Sequence, residues 1–106
     1  MSELGHHKDE GKPRVDLLDP EAMLGIAGVL TFGASKYAES NWRGGIKYSR
    51  IIGSILRHLF AIMRGEDLDF ESGLLHIDHL GCDAMFLSHY LKHPELYAEL
   101  DDRYKS

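Results

Sequence analysis

The side chains best suited to chemistry in this sequence fall on one stripe. His76, His79 and Asp83 are spaced three and four apart, and at about 100° per residue in an α-helix they lie within roughly 60° of one another. Neutral imidazole and carboxylate are the usual ligands of divalent transition metals, and His-x-x-His on one helical face offers two nitrogens from neighbouring turns. Two histidines on a helix also commonly do no more than hydrogen-bond, so the trio gains force from what folds against it. His58 stands at the edge of an earlier apolar pattern, and Glu66, Asp67, Asp69 and Glu71 crowd the stretch between the two patterns. Antiparallel pairing of the patterns brings His58 towards His76 or His79 and sets the acids at the closed end of a hairpin. Such a cluster can hold one or two cations, lower the pKa of a bound water and neutralise a triphosphate. The same acids, solvated and capping helices, do no chemistry.

Three helices have to position these groups. Asp19-Pro20-Glu21 reads as a helix start, with Asp19 capping free amides, Pro20 at the first helical position and Glu21 at the positive end. The first helix then runs from Pro20 to about Tyr37, with Met23, Leu24, Ala27, Leu30 and Ala34 as its apolar repeat and glycines that permit close packing. Asn41-Trp42-Arg43-Gly44-Gly45 breaks the pattern, and Ser49 is placed to cap a second helix from about Arg50 to Arg64. That helix is amphipathic: Ile51, Ile52, Ile55, Leu56, Leu59, Ile62 and Met63 share a broad face opposite Arg57 and Arg64. A third helix is expected from about Leu74 to Lys92, capped by Asp69 or Ser72, with Ile77, Leu80, Ala84, Leu87 and Leu91 as its apolar face. It ends before His93-Pro94, since a residue preceding proline avoids helical geometry. A short acidic helix from Pro94 to about Arg103 follows.

The expected fold class is therefore all-α: three main helices and a short C-terminal helix, with a helical hairpin around a metal site, completed by oligomerisation. Residues 1 to 13, including His6 and His7, lack periodicity and read as a flexible segment, and residues 14 to 106 as one helical domain. With 106 residues, 43% hydrophobic and 27% charged, a packed core is possible but small, and a second copy of the chain would help to complete it. The net charge of −5 argues against nucleic-acid binding, because no continuous basic stripe is available for phosphate backbones. A small anion needs local help, for which Lys12, Arg14, Lys36, Arg43, Lys47, Arg50, Arg57 and Arg64 are available in the first two thirds of the chain. Cys82 is alone and sits within a helical pattern, where a buried small hydrophobe is the expectation. With no apolar run long enough to span a membrane and no leader, a cytoplasmic location is expected.

Several strings in order along the chain carry a family likeness. They are Gly11-Lys12-Pro13-Arg14-Val15-Asp16-Leu17-Leu18, Gly33-Ala34-Ser35-Lys36-Tyr37, Asn41-Trp42, Ser49-Arg50, Arg57-His58-Leu59, Arg64-Gly65-Glu66-Asp67, Glu71-Ser72-Gly73 and His76-x-x-His79. Together they resemble the phage dATP/dGTP diphosphohydrolase N-terminal domain family, within the wider group of MazG-like all-α nucleotide pyrophosphohydrolases. The resemblance implies hydrolysis of a purine deoxynucleotide, dATP or dGTP, to monophosphate and pyrophosphate, and with it remodelling of a nucleotide pool. The wider group holds magnesium or manganese through Glu-Glu-x-x-Glu and Glu-x-x-Asp helices, and neither motif is present. Arg57-His58 and His76-x-x-His79 occupy the comparable helices, which shifts the preference from Mg2+ towards Mn2+ or another divalent transition metal.

On this reading His58, His76, His79 and Asp83 hold metal, with Glu66, Asp67 or Glu71 completing the catalytic set and an activated water attacking the α-phosphorus. Lys12, Arg14, Lys36, Arg50 and Arg57 meet phosphate charge, and Tyr37 or Trp42 stacks on the purine. The alternative is a module that sequesters a nucleotide or nucleotide-derived signal without cleaving it. A further alternative is a helical scaffold whose histidines satisfy a buried interface.

Overall fold

Asp19 starts the first helix as its side chain dictates, its Oδ2 accepting the Ala22 amide at 2.9 Å. In the computed structural model, which describes residues 10–36 and 41–105, this helix is α1 (Pro20–Lys36). It is followed by α2 (Tyr48–Met63), α3 (His76–Lys92) and a single-turn α4 (Pro94–Tyr97). Short 3-10 turns lie at Val15–Leu17, Asn41–Gly44 and Ala98–Leu100. No strand forms among the described residues; Leu68 and Leu75 make an isolated antiparallel bridge. The fold is all-α, as the periodicities imply, and among the described residues no helix is long and apolar enough to cross a membrane. His6, His7 and Tyr37, with most of the segment 1–13, lie outside the described residues.

α2 and α3 form the antiparallel hairpin, and α1 packs across α3. At the open end of the hairpin Tyr48, Ile51, Tyr90 and Tyr97 are buried together, with Trp42, Ile46, Ile55, Phe86, Leu87 and Leu100 around them. Tyr90 stacks on Tyr48 at 5.9 Å and on Tyr97 at 4.3 Å between ring centroids. The hydroxyls of Tyr90 and Tyr97 donate to the backbone carbonyls of Trp42 and Arg43. A buried phenol needs a partner for its hydroxyl, and here that need ties the α1–α2 connection to α3 and α4.

Several local expectations differ from the structure. Ser49 lies inside α2 rather than capping it, and Lys47 at the cap position makes no side-chain capping bond. Asp102 from the tail does the capping instead, accepting the Ser49 amide at 2.9 Å and its hydroxyl at 2.5 Å. The last helix stops at Leu100 rather than Arg103, because Asp102 is drawn to Ser49 and Asp101 takes the Arg103 guanidinium and amide. α3 starts at His76, two residues late, with neither Asp69 nor Ser72 as its cap. Both are spent in the turn that precedes it.

The buried face of α1 is also not the one that hydropathy marks, and the expected apolar face of α3 is only partly covered. α1 meets α3 through Gly25, Ile26 and Val29: a Cβ at Gly25 would overlap the Asp78 carboxylate, and one at Gly81 would lie 3.0 Å from Ile26. Absent side chains let the helices approach this closely, and Met23 and Leu24 are left exposed. On α3 the buried residues are His76, Cys82 and Tyr90, while Ile77 and Leu91 are about half exposed. The stripe carrying the imidazoles thus faces inward.

Candidate metal centre

The closed end of the hairpin is built by two left-handed glycines. Gly65, at φ +86°, ends α2: its amide donates to the Ile62 carbonyl at 2.9 Å and the Glu66 amide to Ala61 at 3.0 Å, the paired bonds of a Schellman stop. The chain then doubles back in a turn centred on Asp69. Its amide donates to Leu74, its carbonyl accepts from Gly73 (φ +73°), and its Oδ2 accepts the Ser72 amide at 2.9 Å. The Asp67 carbonyl accepts the His76 amide at 2.8 Å and so docks the start of α3. These bonds aim the Asp69 carboxylate at the helices and not at solvent.

Against that carboxylate the two helices place three imidazoles. His58 Nδ1 and His76 Nδ1 are 2.8 Å apart, and the His58 ring stacks on His79 at 4.8 Å with planes 10° apart. His79 Nε2 lies 2.7 Å from the Ser72 hydroxyl and 3.9 Å from Asp69 Oδ2. One ligand atom each from His58, Asp69 and His76 falls within 4.8 Å of the others. Two imidazole nitrogens and one carboxylate oxygen form a donor set suited to a divalent transition metal. Protonation states favour the same use. Burial, with His79, His76 and Arg57 nearby, lowers the His58 pKa and keeps its ring neutral. For Asp69 burial opposes ionisation, but the Ser72 hydrogen bonds with His79 and His58 outweigh it and hold the pKa below the ordinary value. A neutral imidazole and an ionised carboxylate are the forms that bind metal.

Two of the triad, His58 and Asp69, line a cleft of about 1340 Å3 that runs between α1, α2, α3 and the 41–46 segment. His79 and Asp83 line it beside His58 and Asp69. Asp83 stands outside the triad; burial raises its pKa, against the opposing pull of Ser54, His79 and Arg57, and its Oδ2 is buried without a hydrogen-bond partner. Cys82 behaves as the small hydrophobe expected, its thiol pushed up to about 12 by burial and by Asp83.

The other expected site residues fall into three groups. Lys36 and Glu71 pair with each other at the cleft wall, joining the end of α1 to the hairpin loop, and Arg57 lines the same space. Glu66 pairs with Arg64 at 2.9 Å and Arg14 with Asp16 at 2.8 Å, both on the surface. Asp67, Lys12 and Arg50 are exposed, and none of the three lines the cleft. Trp42 does line it, but one ring face is stacked on Phe86 at 4.7 Å and the Arg43 guanidinium lies 4.5 Å from the ring centroid.

With this geometry in view, comparison with known proteins is decisive on ancestry. The sequence profile of the family described as "dATP/dGTP diphosphohydrolase, N-terminal" matches residues 2–103. The chain belongs to that family. The dATP/dGTP diphosphohydrolase of Salmonella phage PMBT28 is 35% identical over 79 residues, 74% of this chain and 27% of that protein. The chain therefore spans about a quarter of the length of this curated relative. No solved structure matches it. Among the ligand-type residues, Asp69 is the one that the sequence pattern does not single out, standing there only as one of four acids and as a helix cap. The signal that singles it out is Asp69-x-x-Ser72 followed by Gly73, a side-chain-bonded turn set between His58 and His76.

Proposed function

We propose that this chain uses a divalent cation to hydrolyse purine deoxynucleoside triphosphates, dATP or dGTP, to monophosphate and pyrophosphate. The observation that carries the reading is the convergence of His58, Asp69 and His76, of which His58 and Asp69 line a cleft of about 1340 Å3, in a chain of the dATP/dGTP diphosphohydrolase family. These three residues would hold the ion, and their nitrogen-rich set suits Mn2+ or another transition metal better than Mg2+. When bound, the ion supplies Lewis-acid polarisation of phosphate and a lowered pKa for water.

The remaining roles belong to the chain. His79 is fixed by its stacking on His58 and its hydrogen bond to Ser72, and from that position it accepts the proton of the attacking water. Asp83 presents a carboxyl to the same space, and Arg57 and Lys36 meet phosphate charge in the cleft, where cations are worth more than in open water. Glu71 orients Lys36. A purine reaching Trp42 displaces the exposed Arg43 side chain or meets the ring edge. Leu56, Leu59, Phe60 and Met63, 39–74% exposed along α2, form an apolar face that a second copy of the chain covers. Sedimentation finding only monomer at micromolar concentration would remove the oligomer.

The deciding experiment incubates purified protein with each deoxynucleoside triphosphate, with and without Mn2+ or Mg2+, and separates products by ion exchange. Cation-dependent release of dAMP or dGMP with pyrophosphate, lost in folded His76→Ala and Asp69→Asn, is the expected result. Intact nucleotide retained on the protein would turn the reading to sequestration. Neither binding nor turnover would leave the histidines as structure.

A further inference from the structure

The candidate metal centre opens on two sides. Besides the large cleft, a smaller hollow of about 280 Å3 lies against the closed end of the hairpin, lined by Arg64, Glu66, Phe70 and His76 among others. Arg57, His58 and Asp69 line both spaces and form the wall between them. The larger space has the size of a site for a whole nucleotide; the smaller falls just under the usual range of about 300–1,000 Å3 for ligand pockets. Its size suits a compact group, and its lining sets two guanidinium groups against the carboxylates of Glu66 and Asp69.

Its cations are two arginines on one stripe. Arg57 and Arg64 are seven residues apart on α2 and its C-cap, so they fall about 20° from alignment and about 10.5 Å apart along the axis. Guanidinium groups present planar, forked donors that match phosphate oxygens two at a time. Arg64 is held in place by Glu66, whose carboxylate lies 2.9–3.0 Å from it. An exposed ion pair of this kind contributes little stability and exchanges readily for another anion.

We infer that the smaller hollow is a diphosphate subsite: Arg57 and Arg64 hold the two terminal phosphates of the substrate, and afterwards inorganic pyrophosphate, on the far side of the metal centre from the nucleoside. The inference rests on the proposed hydrolysis and adds a direction to it. The nucleoside lies in the large cleft, the α-phosphorus at the wall shared by His58 and Asp69, and the two products separate into different spaces. Arg57 touches both and neutralises the bridging region, whereas Arg64 touches only the leaving diphosphate.

Calorimetric titration of the full chain with sodium pyrophosphate and, separately, with dAMP and dGMP, at fixed Mn2+, tests this without turnover. Arg64→Gln, at a largely exposed side chain, is expected to weaken pyrophosphate by about tenfold or more, the worth of a charged hydrogen-bonded pair. Monophosphate binding should stay the same, Arg64→Lys should fall between, and Lys105→Gln on the exposed tail should change neither. Pyrophosphate affinity unchanged in Arg64→Gln, an equal loss for monophosphates, or no pyrophosphate binding by the parent chain would each overturn the subsite. Arg64-dependent pyrophosphate binding in a chain that hydrolyses nothing would keep the subsite and sink the hydrolase reading. Hydrolysis with Arg64-independent pyrophosphate binding would do the reverse.

Discussion

Tyr90 and His76 lie on one helix, about 21 Å apart along its axis, and both are buried against α2. Each carries a polar group into the interior and finds it a partner, but the partners differ in kind. The Tyr90 hydroxyl donates to the Trp42 backbone carbonyl within a stack of aromatic rings. That acceptor cannot move without moving the chain, so the bond locks the α1–α2 connection. The His76 ring meets a second imidazole, His58, nitrogen to nitrogen. A single proton there serves two lone pairs, and a cation can replace it. One end of the hairpin spends its polar groups on architecture. The other keeps them exchangeable.

The largest effect expected from breaking this division is on turnover. His76→Ala should lower cation-dependent hydrolysis by more than about a hundredfold, since even groups behind a metal ligand are worth about 10–100-fold, while Tyr90→Phe should leave the rate of the folded protein unchanged. Initial rates at saturating Mn2+ compare the two directly. Stability should respond in the opposite order. Tyr90→Ala is expected to cost about 3–5 kcal/mol, as for other large aromatic truncations, and urea melts should show it clearly beyond His79→Gln.

A smaller effect tests whether the Asp69 turn is aimed by its backbone. Gly65→Ala forces a Cβ into left-handed geometry, at a cost of about 1–2 kcal/mol. It should also weaken Mn2+ binding, read by electron paramagnetic resonance of the free ion. Unchanged Mn2+ affinity would show that the carboxylate finds its place without that stop.

The smallest effect is a pH slope. Because the His58 pKa is lowered on folding, the native metal-free protein keeps this ring neutral while the unfolded chain binds a proton in the ordinary histidine range near about 6.5. Stability contributed by the neutral ring is present above that range and is lost as pH falls through it towards the native value. Denaturation midpoints of the metal-free protein at pH 7.5 and pH 5.5 should fall with acid, and His58→Gln should flatten the slope. An equal slope in the variant would assign it to other groups.

Much of this architecture is legible in the residue order. Asp19-Pro20-Glu21 marks the first helix start, the spacing of Ile51, Ile55 and Ile62 marks an amphipathic helix, and His93-Pro94 ends α3 where expected. Pairing His58 with His76 needed only the step of folding one apolar pattern on the next. The choice of Asp69 among Glu66, Asp67, Asp69 and Glu71 was not legible, because four acids in six residues have no periodicity to say which turns inward. Left-handed turns at Gly65 and Gly73 and the Ser72 bonds make that choice. The face used by α1 was misplaced for a related reason. Hydropathy reports which side of a helix is apolar, and says nothing of Gly25 lying against Asp78.

Sequence by itself determined the helices, their breaks, the imidazole stripe and the family, since each depends on neighbours a few residues apart or on ordered strings of side chains. Tertiary structure decided which carboxylate joins the histidines, which acid caps α2 from 53 residues away, and that the site opens on two spaces. Those features depend on distances between segments, and such distances are set by how closely small residues let helices approach and where left-handed turns send the chain.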